Sequence, residues 1–222
     1  MLAIERGRPR SAARLPVRGV LRALLNGDDE LAMDLVLETL ADRGSRTAVF
    51  ADLLHPAQVE VGNLWYSGSV SSVDEVRVAE AVRRIVCRLA PTPSARPVRR
   101  GSRCVIVVPE GDPHDLGLMM LQLALQDHGW STEVLGPVRG LSDVADLVLS
   151  RRPRLFCLSA GVLPPLPQVE RLISAVRGAR VPVLVGGPAF NRMPHLSHRV
   201  GADGLGTDVR VGVVLAHRLA GR

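Results

Sequence analysis

A chain of 222 residues with 46% hydrophobic content can build one large domain or two small ones with proper cores, and no apolar run approaches the ~20 residues a membrane-crossing helix needs. It contains no lysine, which excludes Schiff-base chemistry on pyridoxal phosphate and a Walker-type phosphate loop. An aromatic content of 3% supplies a base-stacking surface poorly, and the net charge of +6 draws heavily on arginines in the first eighteen residues.

In chain order, residues 1–16 read as a disordered Arg-rich tail. Arg6, Arg8, Arg10 and Arg14 stand where a secretory signal would carry its apolar region, so a cytoplasmic location is expected. Residues 17–90 read as a four-helix bundle. Asn26-Gly27 stops the first helix and Asp28 caps the next, whose Met33, Val36, Leu37, Leu40 and Ala41 recur at helical spacing as one buried stripe. A third segment runs from Val49 to Trp65, with Pro56 expected to kink it or begin a new helix. Val78, Val82, Ile85, Val86 and Leu89 mark the fourth helix.

Residues 91–102, with Pro91, Pro93, Ser94 and Pro97, form a linker. From 103 to 222, β-branched runs at Cys104–Val108, Thr132–Leu135, Leu155–Ser159 and Val181–Gly186 alternate with amphipathic stretches near 115–128, 141–150, 166–176 and 209–220. This alternation predicts a Rossmann-like, flavodoxin-like doubly wound parallel sheet. The fold class is thus α + α/β, with ligands expected at the carboxyl ends of the strands. Cys87, Cys104 and Cys157 are odd in number and lie in apolar segments, so they read as reduced core thiols.

The unusual residues fall at those strand ends. The first strand runs into Asp112-Pro113-His114-Asp115-Leu116-Gly117, the third ends at Ser159 and the fourth at Gly186-Gly187. An Asp two residues before a His can accept one imidazole N–H and leave the other nitrogen for a metal. Alternatively, Asp112 and Asp115 simply cap a helix. Gly186 and Gly187, without side chains, leave room for a bulky group beside the backbone.

Asp-x-His-x-x-Gly after the first strand, Ser after the third and Gly-Gly after the fourth, behind a helical bundle, resembles the base-off cobalamin-binding domains of methionine synthase, corrinoid carriers and CarH-type photoreceptors. The resemblance implies that His114 is the lower axial ligand of cobalt and Asp112 its orienting partner. It assigns Gly117, Ser159, Gly186 and Gly187 to the cofactor site, the last three along the channel of the displaced nucleotide tail.

The helical half resembles the photoreceptors further. There a Trp, nine residues and Glu-His lie above cobalt; here Trp65 is followed after nine residues by Glu75, but Val76 takes the place of the His. Each has a plain alternative: Trp65 as bundle core, and Glu75 in a capping box with Ser72. Photocobilins resemble these sensors and hold biliverdin in the helical domain; Arg77, Arg83, Arg84 and Arg88 could meet bilin propionates, and His55 could replace the missing His. The resemblance implies a light-sensing, non-enzymatic module that binds adenosylcobalamin, with biliverdin beside it in the photocobilin form. Such a module is expected to form a homo-oligomer and to signal through rearrangement of its domains or subunits, or through a protein partner. No helix-turn-helix half precedes the bundle, so direct DNA binding is not expected. The alternatives are a corrinoid methyl-carrier serving a methyltransferase and a tetrapyrrole-sensing anti-repressor.

Overall fold

A computed structural model describes residues 14–90, 102–112, 114–138 and 144–221. Two compact units divide at Leu89 and Ala90, and each has its own fold. The expected tail 1–16 is too long by three residues, because the first helix, α1 (Arg14–Asn26), already includes Arg14–Pro16. The rest of that tail, and linker residues 91–101, lie outside the described residues.

In the helical unit, α2 (Asp29–Arg43) starts as expected, the Asp28 side chain accepting from the Leu31 N–H at 3.0 Å. Its buried face differs from the expected stripe. Ala32 and Val36 are buried, whereas Leu37 is 47% exposed and Ala41 is exposed. Apolar residues lie nearly all around this helix, so periodicity alone does not choose a face; packing against α1 does.

The third segment is continuous through Pro56. Helix α3 (Arg46–Val49) passes into a π-helical turn, Phe50–Leu54, and then α4 (His55–Tyr66). Proline lacks an N–H and crowds the carbonyl four residues back. The widened turn, in which the His55 N–H bonds the Phe50 carbonyl, accommodates both effects and buries Phe50, Leu53 and Leu54.

Helix α5 (Ser72–Arg88) buries Val78, Val82, Ile85 and Val86 as expected. Its capping box is Ser71 with Asp74, one residue before the expected Ser72 and Glu75: the Ser71 Oγ accepts from the Asp74 N–H at 3.1 Å, and Asp74 Oδ2 accepts from the Ser71 N–H at 3.3 Å. The Ser71 hydroxyl and then Arg77 hold the Asp74 carboxyl below the usual range.

The second unit is a five-stranded parallel sheet in the order β2-β1-β3-β4-β5, the flavodoxin-like order. Its elements are β1 (Arg103–Pro109), α6 (Leu116–Asp127), β2 (Ser131–Val138), α7 (Ala145–Ser150), β3 (Leu155–Ser159), α8 (Leu166–Gly178), β4 (Val183–Gly186), α9 (Pro188–Arg192), α10 (His195–Arg199), β5 (Gly204–Gly206) and α11 (Val209–Ala220). Strand β1 is buried from Cys104 to Pro109, as a central parallel strand covered on both faces must be. Val105, Val107, Phe156, Leu158, Val183 and Val185 pack on Val169, Leu172, Ile173 and Val176 of α8. The alternate residues face the side where α6 meets α11.

Cys104 and Cys157 are buried free thiols 3.5 Å apart, as expected of core cysteines. Cys87 differs: it is exposed, on the polar side of α5. The hydrogen bond to Cys157 and burial push the Cys104 thiol well up.

Candidate functional site

In this strand order, chain connections diverge between β1 and β3, so a crevice opens beyond the carboxyl ends of those two strands. Asp112 closes the back of that crevice. Its side chain is only 2% exposed, and both oxygens accept hydrogen bonds. Oδ1 takes the backbone N–H and the Nδ1 of His114, each at 3.0 Å. Oδ2 takes the Gly161 N–H, in a very short bond, and the Val162 N–H at 3.4 Å. A buried carboxylate with so many donors is satisfied rather than stranded. It also ties the loop after β1 to the loop after β3.

His114 is thereby oriented. Its ring holds Nδ1–H toward Asp112, and its side chain is 53% exposed, leaving Nε2 as an available donor to a metal. Gly161 makes room for the ring: a β-carbon there would collide with Cβ and Nδ1 of His114 and stand 2.5 Å from its Cγ. The helix-capping alternative is not what the structure contains. Asp115 sits at the N-cap of α6 without a side-chain capping bond, and Asp112 is committed to His114, Gly161 and Val162.

The remaining residues sit at the same edge with different roles. Gly117, in the first turn of α6, is exposed with open space where a side chain would be. Ser159 ends β3, half-buried, opposite Gly186 of β4, and its hydroxyl has no hydrogen-bond partner among the described residues. At Gly186 and Gly187 the missing side chains serve packing. A β-carbon on Gly187 would collide with the Ala160 carbonyl group, whose carbon would be 2.8 Å away; one on Gly186 would be 3.1 Å from the Gly206 oxygen. Gly187 also has φ +93, open to glycine. The spaces expected to receive a ligand beside these two glycines are therefore filled, in the β-carbon direction, by protein backbone.

In the helical unit, Trp65 is 51% exposed near the end of α4, so it is not bundle core. Glu75, in the first turn of α5, is half-buried, and its carboxylate has no hydrogen-bond partner among the described residues. Val76 is 57% exposed. His55 is half-buried and already engaged. The arginines of α5 are largely committed within the unit: Arg77 donates to the carbonyls of Leu24 and Leu25 at 3.0 and 2.8 Å, Arg83 pairs with Glu80 at 3.4 Å, and Arg84 pairs with Asp29.

No cluster of three or more metal-ligating side chains occurs among the described residues. A lone, oriented His suits a metal that brings its own equatorial nitrogens, as cobalt does in a corrin ring; a zinc ion would need three or four protein ligands. The donor set therefore fits cobalamin.

A family model described as B12 binding domain matches residues 102–214, just over half the chain. The chain belongs to this B12-binding family. A second model, also described as B12 binding domain, matches residues 17–89, and the protein binds cobalamin. The chain is 29% identical over 197 residues to the HTH-type transcriptional repressor CarH of Myxococcus xanthus, covering 87% of this chain and 63% of that protein. It is 29% identical over 112 residues to the HTH-type transcriptional repressor CarA of the same organism, covering 50% of this chain and 37% of that protein. It spans less than two thirds of the length of either repressor. The fold is also that of the Methanosarcina barkeri monomethylamine corrinoid protein, with TM-score 0.70 and 16% identity over 93% of this chain and 99% of that one. No helix among the described residues is long and apolar enough to cross a membrane.

Sequence reasoning found Asp112 and His114 but missed Gly161 and Val162 as Asp112's other partners. The glycine after Ser159-Ala160 was the only signal, and nothing local distinguishes it from an ordinary strand-end glycine.

Proposed function

We propose that the chain is a cobalamin-dependent light-sensing module rather than an enzyme component. His114 serves as the lower cobalt ligand through Nε2, and Asp112 fixes its tautomer. Ser159 and Gly117 border the nucleotide tail, while Gly186 and Gly187 shape that channel by letting the end of β4 close on Ala160 and Gly206. Trp65 and Glu75 act on the upper ligand, an adenosyl group. Adenosylcobalamin supplies a cobalt–carbon bond that visible light breaks.

The observation that carries the sensor reading is the half-exposed Trp65, followed after nine residues by Glu75, whose carboxylate lacks a partner among the described residues. An indole left half in water within a folded helical unit costs burial that a core Trp would gain; contact with a ligand recovers it. Biliverdin as a second chromophore is supported by Val76 standing in place of a ligating His. Its propionates would have to compete for Arg77, Arg83 and Arg84, which are already bonded. Adenosylcobalamin alone is therefore the better-supported reading.

The test loads the chain with adenosylcobalamin in the dark and compares its hydrodynamic size before and after illumination. Spectral change by itself does not decide, because the free cofactor is also light-sensitive. A light-dependent change in assembly, lost in Trp65→Ala, supports a sensor that signals through its own oligomer. Unchanged assembly, with methylcobalamin-loaded chain passing its methyl group to a thiol acceptor in the presence of a methyltransferase, overturns it in favour of the carrier. A red absorbance band on adding biliverdin identifies the two-chromophore form.

A further inference from the structure

The edge of the parallel sheet opposite His114 carries a charge pattern unrelated to the cofactor. Arg103 opens β1, Arg152 and Arg154 precede β3, and Arg180 precedes β4. These strands are immediate neighbours in the order β1-β3-β4, about 4.8 Å apart, so residues scattered over the sequence form one row. Arg218, in the last turn of α11, adds to the same end of the unit.

All five are exposed, and none forms an ion pair among the described residues. Arg103 and Arg154 donate to the carbonyls of Arg151 and Ala220, at 3.1 and 2.8 Å, which fixes their guanidinium groups without neutralising them. Among the described residues the carboxylates at this edge are Asp127, Glu133 and Asp203; Asp127 is already engaged, Arg151 takes Glu133 at 2.7 Å and Arg177 takes Asp203 at 3.4 Å.

Backbone conformation supplies an independent observation. Helices α2, α6 and α10 are followed by left-handed glycines, Gly44, Gly129 and Gly201, the usual residue for that position. Helices α7 and α8 are followed instead by Arg152 with φ 50 and Arg180 with φ 62. A side chain in that conformation is disfavoured relative to glycine, and both exceptions are arginines on the same edge. Retained strain of this kind points to a use for the side chain.

Although the sequence offers no base-reading helix-turn-helix and direct DNA binding is not expected from it, we propose that this edge contacts the phosphate backbone of duplex DNA without reading its sequence. Guanidinium groups match phosphate oxygens in bidentate geometry, and counterion release favours several such contacts at once. Trp130, at this end, is buried, and the imidazoles of His128 and His217 beside it are packed as a cluster, His217 against both other rings, so no large aromatic face among the described residues is offered for base stacking. The large exposed apolar side chains of the unit lie away from the edge, on the middle of elements such as Val134, Leu147 and Val214; an acidic protein partner would lack the apolar anchors such interfaces rely on.

The test measures binding of the full chain to a labelled duplex of arbitrary sequence by fluorescence anisotropy across a salt series. The parent binds, with log affinity falling linearly against log salt. The double variant Arg152→Gly with Arg180→Gly melts no lower than the parent, because glycine suits both positions. Its salt dependence becomes shallower by about 1.8, and its affinity at roughly 0.1 M salt falls at least on the order of tenfold. Arg218→Gln, a change confined to an exposed helical side chain, makes the slope shallower by about 0.9. Arg192→Gln, at the other edge, leaves both unchanged. Parent-like binding by the double variant and by Arg218→Gln overturns the proposal and assigns any binding to the arginines of the first eighteen residues. A parent that ignores duplex DNA at low salt, or that captures polyglutamate instead, overturns it as well.

Discussion

Gly161→Ala tests the geometry around His114 without removing a polar group. The new β-carbon would stand 2.5 Å from Cγ of His114 and closer still to Cβ and Nδ1, so something must move. The backbone is the more firmly held side. Ala160 donates to the Gly186 carbonyl at 3.0 Å and accepts from the Ala189 N–H at 3.1 Å, and Gly161 itself donates to Asp112. Gly161 has no positive φ, so alanine adds no conformational penalty of its own. Rotating the imidazole cannot clear a contact with its own Cβ, so the loop bearing His114 shifts away and the ring loses its bond to Asp112. In the cofactor-free chain this costs about 1–3 kcal/mol, the range for overpacking that displaces backbone, with the lost hydrogen bond included. Losing the partner that orients a metal-ligating His weakens metal binding by about 10–100-fold, or about 1.4–2.8 kcal/mol. Denaturant unfolding of the cofactor-free chain and absorbance titration with cobalamin measure the two losses separately. Unchanged cobalamin affinity and spectrum would refute the reasoning; destabilisation by more than about 3 kcal/mol, beyond ordinary overpacking, would show that the end of β3 yields instead of the His114 loop.

Asp112→Asn keeps the shape but turns one oxygen into an amide facing N–H donors. The cofactor-free chain should lose about 1–3 kcal/mol, and cobalamin affinity should fall about 10–100-fold; thermal melts and titration read both. Ser71→Ala removes half of the capping box of α5 and should cost about 1 kcal/mol in denaturant unfolding without altering the cobalamin spectrum. Alkylation of the native chain at mildly alkaline pH, read by mass spectrometry, should label the exposed Cys87 and spare Cys104. Cys104 is buried and its thiol is held neutral well above the usual range, so its reactive thiolate stays scarce; rapid labelling of Cys104 would contradict this.

The parts of the fold visible in the sequence are those where one physical cause dominates. β1 and β3 are legible because burial on both faces leaves unbroken apolar runs such as Val105-Ile106-Val107 and Leu155-Phe156-Cys157. Strand β5 is not, because Gly204-Leu205-Gly206 has almost no strand preference of its own and depends on pairing with β4. Pro56 was readable as a perturbation, but not as a π turn, since the choice depends on how Phe50, Leu53 and Leu54 pack. The one-residue shift of the capping box to Ser71 likewise depends on where the incoming loop places the first helical residue.

In the candidate site, Asp112 and His114 are close in sequence, so their pairing could be anticipated. Gly161 lies 49 residues from Asp112, and its contact exists only because β1 and β3 are neighbours. Gly186 and Gly187 stand out in the sequence as room for a bulky group, but their packing against Gly206 and Ala160 could not be read from composition. The row of arginines on the opposite edge was hidden for the same reason: Arg103 and Arg180 fall in one row, with Arg154 between them, through strand order alone.

The central claim is that Nε2 of His114 binds cobalt from below. Its most direct measurement is electron paramagnetic resonance of the cobalt(II) cobalamin-loaded chain, prepared with ordinary and with nitrogen-15 histidine. The account predicts that the splitting from the axial nitrogen changes with the histidine label and loses that dependence in His114→Ala. Splitting indifferent to the label, from the cofactor's own base, or no axial-nitrogen splitting at all, from a water beneath the metal, would contradict it.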